Sequence, residues 1–207
     1  MSDSTSTSGK PSAPATERNR EPILEVLRKE FEQVKSVLEI GSGTGQHAVF
    51  FARELSWLNW QTSDRPQNHD GIQAWLSDAG LENVRPPLSL DVEVIAEVPG
   101  KYDAVYSANT AHIMSFDAVK CMFTIVGNCL ASQGCFCLYG PFKINGAFTS
   151  RSNEAFDASL KTQDARMGIR DMESLHELAT TNGMIHDRSY GMPANNMLLV
   201  WRKIEQK

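Results

Sequence analysis

The chain has 207 residues, a formal net charge of -5 and 41% hydrophobic residues, which suits one globular domain with a sizeable core. This acidic balance lacks the basic footprint of proteins that grip a nucleic acid backbone, so a nucleic acid substrate is not favoured. No stretch approaches the ~20 consecutive apolar residues of a membrane-spanning helix. We therefore expect a small-molecule substrate, no membrane association and a cytoplasmic location.

The N-terminal segment, residues 1–17, is rich in Ser, Thr and Pro and has no apolar core. Because it offers too little apolar surface to offset the entropy cost of ordering, it is predicted to be a disordered tail. It also lacks the apolar centre of a secretory signal. The remaining residues, 18–207, are predicted to form a single domain that begins with a helix capped by Asn19, with Pro22 in its first turn.

Strand and helix patterns alternate after this first helix. The predicted strands are residues 37–40, 60–63, 84–90, 102–108 and 134–139, and the predicted helices are residues 48–58, 71–79 and 118–130. Such alternation indicates right-handed βαβ units around a parallel sheet, so the fold class is α/β and Rossmann-like. A polar helical stretch, residues 153–180, precedes two late strands, residues 184–190 and 197–201, which we expect to form an antiparallel hairpin.

The most informative local pattern is the glycine turn after the first strand, Gly41-Ser42-Gly43-Thr44-Gly45. Glycines at these positions let the backbone approach a ligand that a Cβ would crowd. The dinucleotide fingerprint places its third glycine three residues after the second, whereas here it comes two residues after. With Glu39 inside the preceding strand, the pattern resembles motif I of the class I S-adenosylmethionine (SAM) methyltransferases.

Three polar residues follow the ends of other predicted strands. Asp64 ends the second strand, where a carboxylate can accept hydrogen bonds from both ribose hydroxyls of a nucleoside; Asp91 ends the third, where it could meet an adenine amino group. Asn109 follows the fourth. In an open α/β sheet, ligands bind beyond the carboxyl ends of the strands near the switch in strand order. We therefore predict that Glu39, the three glycines, Asp64, Asp91 and Asn109 form the cofactor site, with Glu39 ordering the glycine turn rather than touching the ligand.

Six segments together resemble one particular methyltransferase family, the domain-of-unknown-function 938 group, which includes the methyltransferase-like 26 proteins. They are residues 18–24, 38–47, 109–113, 139–143, 152–160 and 168–171. The resemblance spans nearly everything but the N-terminal tail. It implies the seven-stranded class I methyltransferase sheet, mostly parallel with a C-terminal antiparallel hairpin, and it implies SAM as the cofactor and S-adenosylhomocysteine (SAH) as its product. It implies no particular substrate.

The acceptor is expected above the ends of the fourth and fifth strands. His112 and Tyr139 are the candidate catalytic residues there, His112 as a general base because the pKa of histidine lies near neutrality. A carboxylate acceptor would need no base and would favour cationic partners instead. The candidate substrate contacts are Arg20, Lys143, Asn145 and Arg170. The acceptor atom, whether nitrogen, hydroxyl oxygen or carboxylate, stays open.

Three other interpretations compete with a small-molecule methyltransferase. One is a methyltransferase that acts on a protein or nucleic acid, of which the acidic balance disfavours only the nucleic acid version. A nicotinamide-dependent oxidoreductase is disfavoured by the glycine spacing. A methyltransferase-like protein that binds SAM or a partner without catalysis is consistent with the same residues. No metal site is predicted, because none of the four cysteines forms a C-x-x-C pair, and they are expected to be reduced core thiols.

Overall fold

The computed structural model describes residues 10–95 and 97–205. Its helices are α1 (Pro14–Glu30), α2 (Gln46–Glu54), α3 (His69–Ala79), α4 (Phe116–Cys129), α5 (Arg151–Gln163) and α6 (Met172–Thr181). Its strands are β1 (Ser36–Ile40), β2 (Asn59–Asp64), β3 (Val84–Ser89), β4 (Tyr102–Ala108), β5 (Leu130–Gly140), β6 (Phe142–Ile144), β7 (Ala147–Phe148), β8 (Arg170–Asp171), β9 (Met184–Met192) and β10 (Asn196–Lys203). Across the described residues, no helix is long and apolar enough to cross a membrane.

Seven strands form one sheet in the order β3-β2-β1-β4-β5-β10-β9. Strands β3, β2, β1, β4 and β5 are parallel to one another. Strand β10 runs antiparallel to both β5 and β9. The α/β fold class and the C-terminal antiparallel hairpin predicted from the sequence are therefore confirmed. Strands β1 to β3 extend the sheet in one direction and β4 and β5 extend it in the other, so the strand order reverses between β1 and β4. An open parallel sheet leaves a crevice beyond the carboxyl ends of the strands at such a reversal.

Side chains alternate between the two faces of the sheet and enter two hydrophobic cores. Val37 of β1 packs with α1, α2 and α3 on one face, while Leu38 and Ile40 pack with α4 and α6 on the other. This alternation follows from the two-residue period of a strand. Because helices cover both faces, the strand segments at the centre of the sheet are apolar almost throughout, as parallel sheets require.

The N-terminal helix begins earlier than predicted. Ala13 precedes its first residue, Pro14, so Asn19 is not the helix cap but lies within α1, where it is only 8% exposed. Proline suits the first helical position because its missing N–H has no partner there in any case. Part of the predicted tail, residues 1–9, lies outside the described residues.

The polar helical stretch predicted over residues 153–180 consists of two helices, α5 and α6, with a break between them. The chain leaves the helical conformation after α5, and the short strand β8 pairs with β6 before α6 begins. Strands β7, β6 and β8 form a small second sheet that hydrophobic periodicity did not reveal. The strands are two or three residues long, too short for an alternating pattern to be distinguished from a loop.

Candidate functional site

A cavity of about 1090 Å³ lies beyond the carboxyl ends of β1, β2 and β4, at the switch in strand order. Its walls come from the glycine turn, from the segments after β2, β3 and β4, from α3 and from the N-terminal segment. Of the predicted cofactor residues, it is lined by Gly41, Gly43, Asp64, Asp91 and Asn109. The position and size of this cavity match those of ligand sites in open α/β sheets.

The glycine turn adopts backbone conformations that favour glycine. Gly41, Gly43 and Gly45 have φ values of +75°, +58° and +88°. A Cβ on Gly41 would lie 2.6 Å from Cγ2 of Thr110, whereas a Cβ on Gly43 would meet no atom within 4 Å. Gly41 therefore allows close packing against the segment after β4, and Gly43 leaves the cavity wall open where a ligand would approach.

Asp64 connects the end of β2 to the glycine turn. Its Oδ2 accepts a hydrogen bond of 2.7 Å from the main-chain N–H of Gly43. Its Oδ1 accepts from the N–H of Arg65 at 2.7 Å and from Nδ2 of Asn68 at 2.8 Å. The carboxylate is thus held at the cavity wall by three donors, which keeps its orientation defined before any ligand binds.

Glu39 does not line the cavity and lies beneath the glycine turn, as its place inside β1 suggested. Its Oε2 accepts hydrogen bonds from Oγ of Ser42 at 2.9 Å and from the indole N–H of Trp60 at 3.1 Å. Burial raises the pKa of the Glu39 carboxyl to about 7, against the opposing effect of these two hydrogen bonds, and the nearby Asp64 charge raises it further. Ser42 also accepts from the N–H of Ser63 at 3.1 Å, so Glu39 supports the turn through β2.

His47, which was not among the predicted site residues, lines the cavity. Its Nε2 lies 2.8 Å from Oδ1 of Asn19, and its Nδ1 lies 3.4 Å from the hydroxyl of Tyr106. Burial lowers the pKa of His47 to about 3, and the charge of Arg20 lowers it further, so the ring is neutral at neutral pH. Tyr106 then donates to Nδ1, and the N–H at Nε2 donates to Asn19. The position of His47 just after the glycines was the sequence signal that could have placed it in the site. Its partner Asn19 was interpreted instead as the cap of the first helix.

The two predicted catalytic residues are buried at the edge of this region and do not line the cavity. The His112 ring packs edge-to-face against Phe156, with ring centroids 5.3 Å apart. Burial, and then the charge of Arg170, lowers the pKa of His112 to about 4. Burial raises the pKa of the Tyr139 phenol, and the neighbouring amide of Asn19 opposes that effect. At neutral pH the site therefore contains a neutral imidazole and a neutral phenol.

Three of the four predicted substrate contacts lie at a different place. Lys143, Asn145 and Arg170 line a second, smaller cavity of about 510 Å³ beside β6 and β8. The Lys143 ammonium sits 4.4 Å from the centroid of the Phe148 ring. The main-chain N–H of Asn145 donates to Glu173 at 2.9 Å. These residues are not brought to the cavity that holds the glycine turn.

The guanidinium of Arg170 binds main-chain carbonyls. It donates to the carbonyls of Ala111 and Arg166, each at 2.9 Å, and to the carbonyl of Met114. Arg170 therefore fixes the segment after β4 to the segment before β8. These bonds occupy Nε and Nη2 of Arg170 and give the residue a structural role.

Arg20, the fourth predicted substrate contact, lies on α1 near His47. It pairs with Glu17 at 2.5 Å and stands 4.7 Å above the centroid of the Phe50 ring. Its Nε is the one buried side-chain nitrogen or oxygen in the described ranges that has no hydrogen-bond partner. A buried donor without a partner is uncommon in folded proteins. The Nε–H of Arg20 is therefore a hydrogen-bond donor that no other protein group uses.

Several cavity-lining residues had no predicted role. They include Pro11, Ala13, Ala15 and Thr16 before and within α1, Arg65 and Asn68 after β2, and Ile113, Met114 and Met167 on the opposite side. The first four fall in the segment that its composition assigned to a disordered tail. In residues 10–95 and 97–205, no group of three or more His, Cys, Asp or Glu side chains has a geometry that could hold a metal ion.

Solved structures of methyltransferases are similar to this fold. An O-methyltransferase family protein from Burkholderia thailandensis superposes with a TM-score of 0.80 at 15% identity, over 93% of this chain and 58% of that one. The S-adenosylmethionine-dependent methyltransferase SibL gives 0.77 at 18% identity, over 92% and 56%. PigF, solved with SAH, gives 0.75 at 15% identity, over 88% and 61%. The chain thus spans less than two thirds of the length of each of these proteins.

These similarities establish the class I methyltransferase fold, as the seven-stranded sheet with its antiparallel hairpin also does. A family model described as a protein of unknown function, DUF938, matches residues 10–203. That match covers nearly all of the chain and agrees with the resemblance carried by its six sequence segments. The chain therefore belongs to the DUF938 family.

Proposed function

We propose that this protein binds SAM and transfers its methyl group to a small-molecule acceptor, releasing SAH. The observation that carries the proposal is the convergence of Gly43, Asp64, Asp91 and Asn109 on one cavity at the switch in strand order. These residues come from the carboxyl ends of four different strands or from the segments that follow them. The solved structures that share the fold are described as methyltransferases, one of them with SAH, and this supports the same cofactor here.

The residues in the cavity fit a nucleoside with an attached amino acid. The open space at the Gly43 Cβ position admits a ligand against the main chain. Asp64 supplies carboxylate oxygens for ribose hydroxyls, and Asp91 supplies an acceptor for an adenine amino group at the end of β3. Asn109 lines the same cavity; its φ is +59°, and its main-chain N–H donates to the carbonyl of Tyr139 at 2.9 Å.

Methyl transfer from a sulfonium is an in-line displacement in which the cofactor supplies the reactive carbon. The protein contributes alignment of the acceptor, exclusion of water and, for an acceptor that carries a proton, a base. His112 is our candidate base because of its place after β4; burial keeps its ring neutral, and the lowered pKa of about 4 makes that ring a weaker base than a free imidazole. Tyr139 keeps its proton and is our candidate hydrogen-bond donor to the acceptor.

Arg20 is the predicted acceptor contact that we retain. Arg20 is not among the residues that line the cavity, but its charge beside His47 and its partnerless Nε support binding of an anionic or carbonyl oxygen of the acceptor. The acidic net charge supports a small molecule over a nucleic acid. Membership of the methyltransferase-like 26 group and a cytoplasmic location belong to the same proposal.

A second candidate is a SAM-binding protein without catalysis. The buried positions of His112 and Tyr139, outside the cavity lining, are the observation that favours it. It predicts the same cofactor affinity as the enzyme but no turnover with any acceptor in a broad panel.

The first experiment is calorimetric titration with SAM and SAH, with NADH as the control ligand. We expect SAM and SAH to bind and NADH not to bind. The Asp64→Ala variant should lose SAM binding while it still unfolds in one cooperative transition, at a lower temperature because three hydrogen bonds are lost. The fully exposed Asp117 on α4, replaced by Ala, is the matched control. A preference for NADH would contradict the proposal.

Tyr139 and Lys143 have the Tyr-x-x-x-Lys spacing of some nicotinamide enzymes, which makes NADH a meaningful control. That spacing places two side chains on one face of a helix. Here the two residues lie in separate strands, with Tyr139 beside Asn19 and Lys143 beside Phe148. Their placement therefore supports the methyltransferase over the oxidoreductase.

A further inference from the structure

One wall of the cofactor cavity is formed by residues 10–17, which we name the N-terminal strap. Pro11, Ala13, Ala15 and Thr16 of the strap line the cavity opposite the segment after β4. The strap is extended up to Ala13, and its last four residues form the first turn of α1.

The strap is attached to the glycine turn through the side chain of Gln46. Oε1 of Gln46 accepts hydrogen bonds from the main-chain N–H of Ala13 at 2.6 Å and from Oγ1 of Thr44 at 2.9 Å. Nε2 of Gln46 donates to Glu17 at 2.7 Å. Gln46 is 4% exposed, whereas the side chain of its partner Glu17 is 42% exposed, so the bonds are partly shielded from water. The Gln46 amide therefore joins Ala13 and Glu17 of the strap to the turn.

A second attachment is made to α3. The indole N–H of Trp75 donates to the carbonyl of Pro11 at 2.7 Å. The ammonium of Lys10 lies 4.4 Å from the centroid of the Trp75 ring and pairs with Asp78. A Cβ on Gly71 would lie 2.8 Å from the Pro11 ring, so the strap packs closely against this helix.

Apart from the ion pair of Glu17 with Arg20, the strap has little else to hold it. None of residues 10–18 is buried, and the first buried residue of α1 is Asn19. A segment with polar attachments and no buried apolar side chains opens at a lower free energy than the core. The strap can therefore detach while α1 stays docked through Ile23, Leu24 and Leu27.

We propose that the N-terminal strap is a removable wall of the cofactor cavity and that Gln46 is the positioning residue that holds it closed. The proposal rests on the proposed function for the identity of the ligand, but the attachment of the strap does not depend on it. Because the strap covers the cavity beside the glycine turn, its opening sets the rate at which cofactor and product exchange.

The first test is amide hydrogen exchange on the ligand-free protein. In Gln46→Ala, we expect the peptide covering residues 10–17 to exchange about tenfold faster, because Ala13 loses its acceptor. Gln46→Glu keeps the shape and adds a charge beside Glu17, so it should give a similar increase. Gln73→Ala is the matched control, since Gln73 bonds only to Oγ of Ser77 on the surface of α3. Unchanged exchange in residues 10–17, or an equal increase in β1 and β4, would overturn the proposal.

The second test is the release rate of SAH, measured by displacement with excess unlabelled SAH. We expect Gln46→Ala and Trp75→Phe to speed release about tenfold, with wild-type release in Gln73→Ala. Faster exchange in the strap with unchanged release would overturn the role of the strap in cofactor exchange. If the wild-type protein does not bind SAH, the proposed function fails, while the exchange experiment still decides whether Gln46 holds the strap.

Discussion

The main-chain N–H of Gly43 donates a hydrogen bond of 2.7 Å to Oδ2 of Asp64, 21 residues later in the chain. One carboxylate therefore shapes the glycine turn and also faces the cavity. Ser42 makes a second connection between β1 and β2, because its hydroxyl donates to Glu39 and accepts from the N–H of Ser63. The ends of β1 and β2 are thus joined before any ligand binds, which lowers the ordering cost of binding.

Replacement of Gly43 should have two measurable effects, a loss of stability from backbone strain and a loss of ligand affinity. We expect Gly43→Ala to lose about 1–2 kcal/mol of stability, because alanine is strained at positive φ. Its methyl group also enters the open space of the cavity wall, so SAH affinity should fall by more than about tenfold, or ~1.4 kcal/mol. Calorimetry and thermal unfolding measure the two effects.

Gly80 supplies a control with the same backbone conformation away from the cavity. Its φ is +60°, and a Cβ there would meet no atom within 4 Å. Gly80→Ala should lose similar stability and keep wild-type SAH affinity. Equal affinities in the two variants would contradict the placement of the ligand against Gly43.

Glu39 should make stability depend on pH. Its folded-state pKa of about 7 lies above its usual 4.5, so between these values the folded state binds more protons than the unfolded state. Stability contributed by the neutral carboxyl is therefore lost as pH rises from 4.5 to 7, by up to about 3 kcal/mol. Glu39→Gln removes this loss, so its stability relative to wild type should increase over that range and level off above it.

Denaturant unfolding at several pH values measures this difference. Glu177→Gln is a suitable control, because Glu177 is exposed on α6. A difference between Glu39→Gln and wild type that does not change from about pH 5 to 8 would show that Glu39 ionises normally.

Both histidines at the site should stay neutral near physiological pH. Burial lowers the pKa of His47 to about 3 and of His112 to about 4, below the usual 6.5. Their contribution to stability is present above pH 6.5 and is lost as pH falls toward these values. In imidazole NMR spectra, assigned with His47→Gln and His112→Gln, neither ring should titrate between about pH 5.5 and 8. A midpoint near the usual 6.5 for either ring would contradict its burial.

Arg170 should matter for stability more than for ligand binding. Arg170→Met removes the donors to three carbonyls around the segment after β4, and we expect a loss of about 2–4 kcal/mol. Lys143→Met is the control on the same small cavity, where loss of an exposed cation–π contact should lower stability by less than about 1 kcal/mol. Thermal unfolding measures the stability of the two variants. Equal decreases in Tm would argue against a stabilising role for the bonds from Arg170 to the carbonyls.

The sequence predicted the parts of the site that lie next to regular strands. Alternation of strand and helix indicated the parallel sheet, and parallel strands place their carboxyl ends at one edge. Residues that directly follow strands, such as Asp64, Asp91 and Asn109, could therefore be assigned to one site from their positions in the chain alone. All three line the same cavity.

The predictions for the acceptor side were less successful, because those side chains extend from segments without a regular period. Arg170 lies in a short strand of a small sheet that the pattern did not reveal, and its donors face carbonyls instead of the cavity. Asn19 satisfied the rules for a helix cap, yet the helix begins earlier and Asn19 contacts His47. Local preference was overruled by the docking of α1 against α2.

The sequence by itself determined the fold class and the glycine turn, because strand periodicity and the need for positive φ are properties of neighbouring residues. Only the tertiary structure decided that Gln46 joins the N-terminal strap to the turn and that His47 faces the cavity with Asn19 behind it. These contacts link residues 28 to 33 positions apart. Their geometry depends on how whole helices pack on the sheet, and no local pattern encodes that packing.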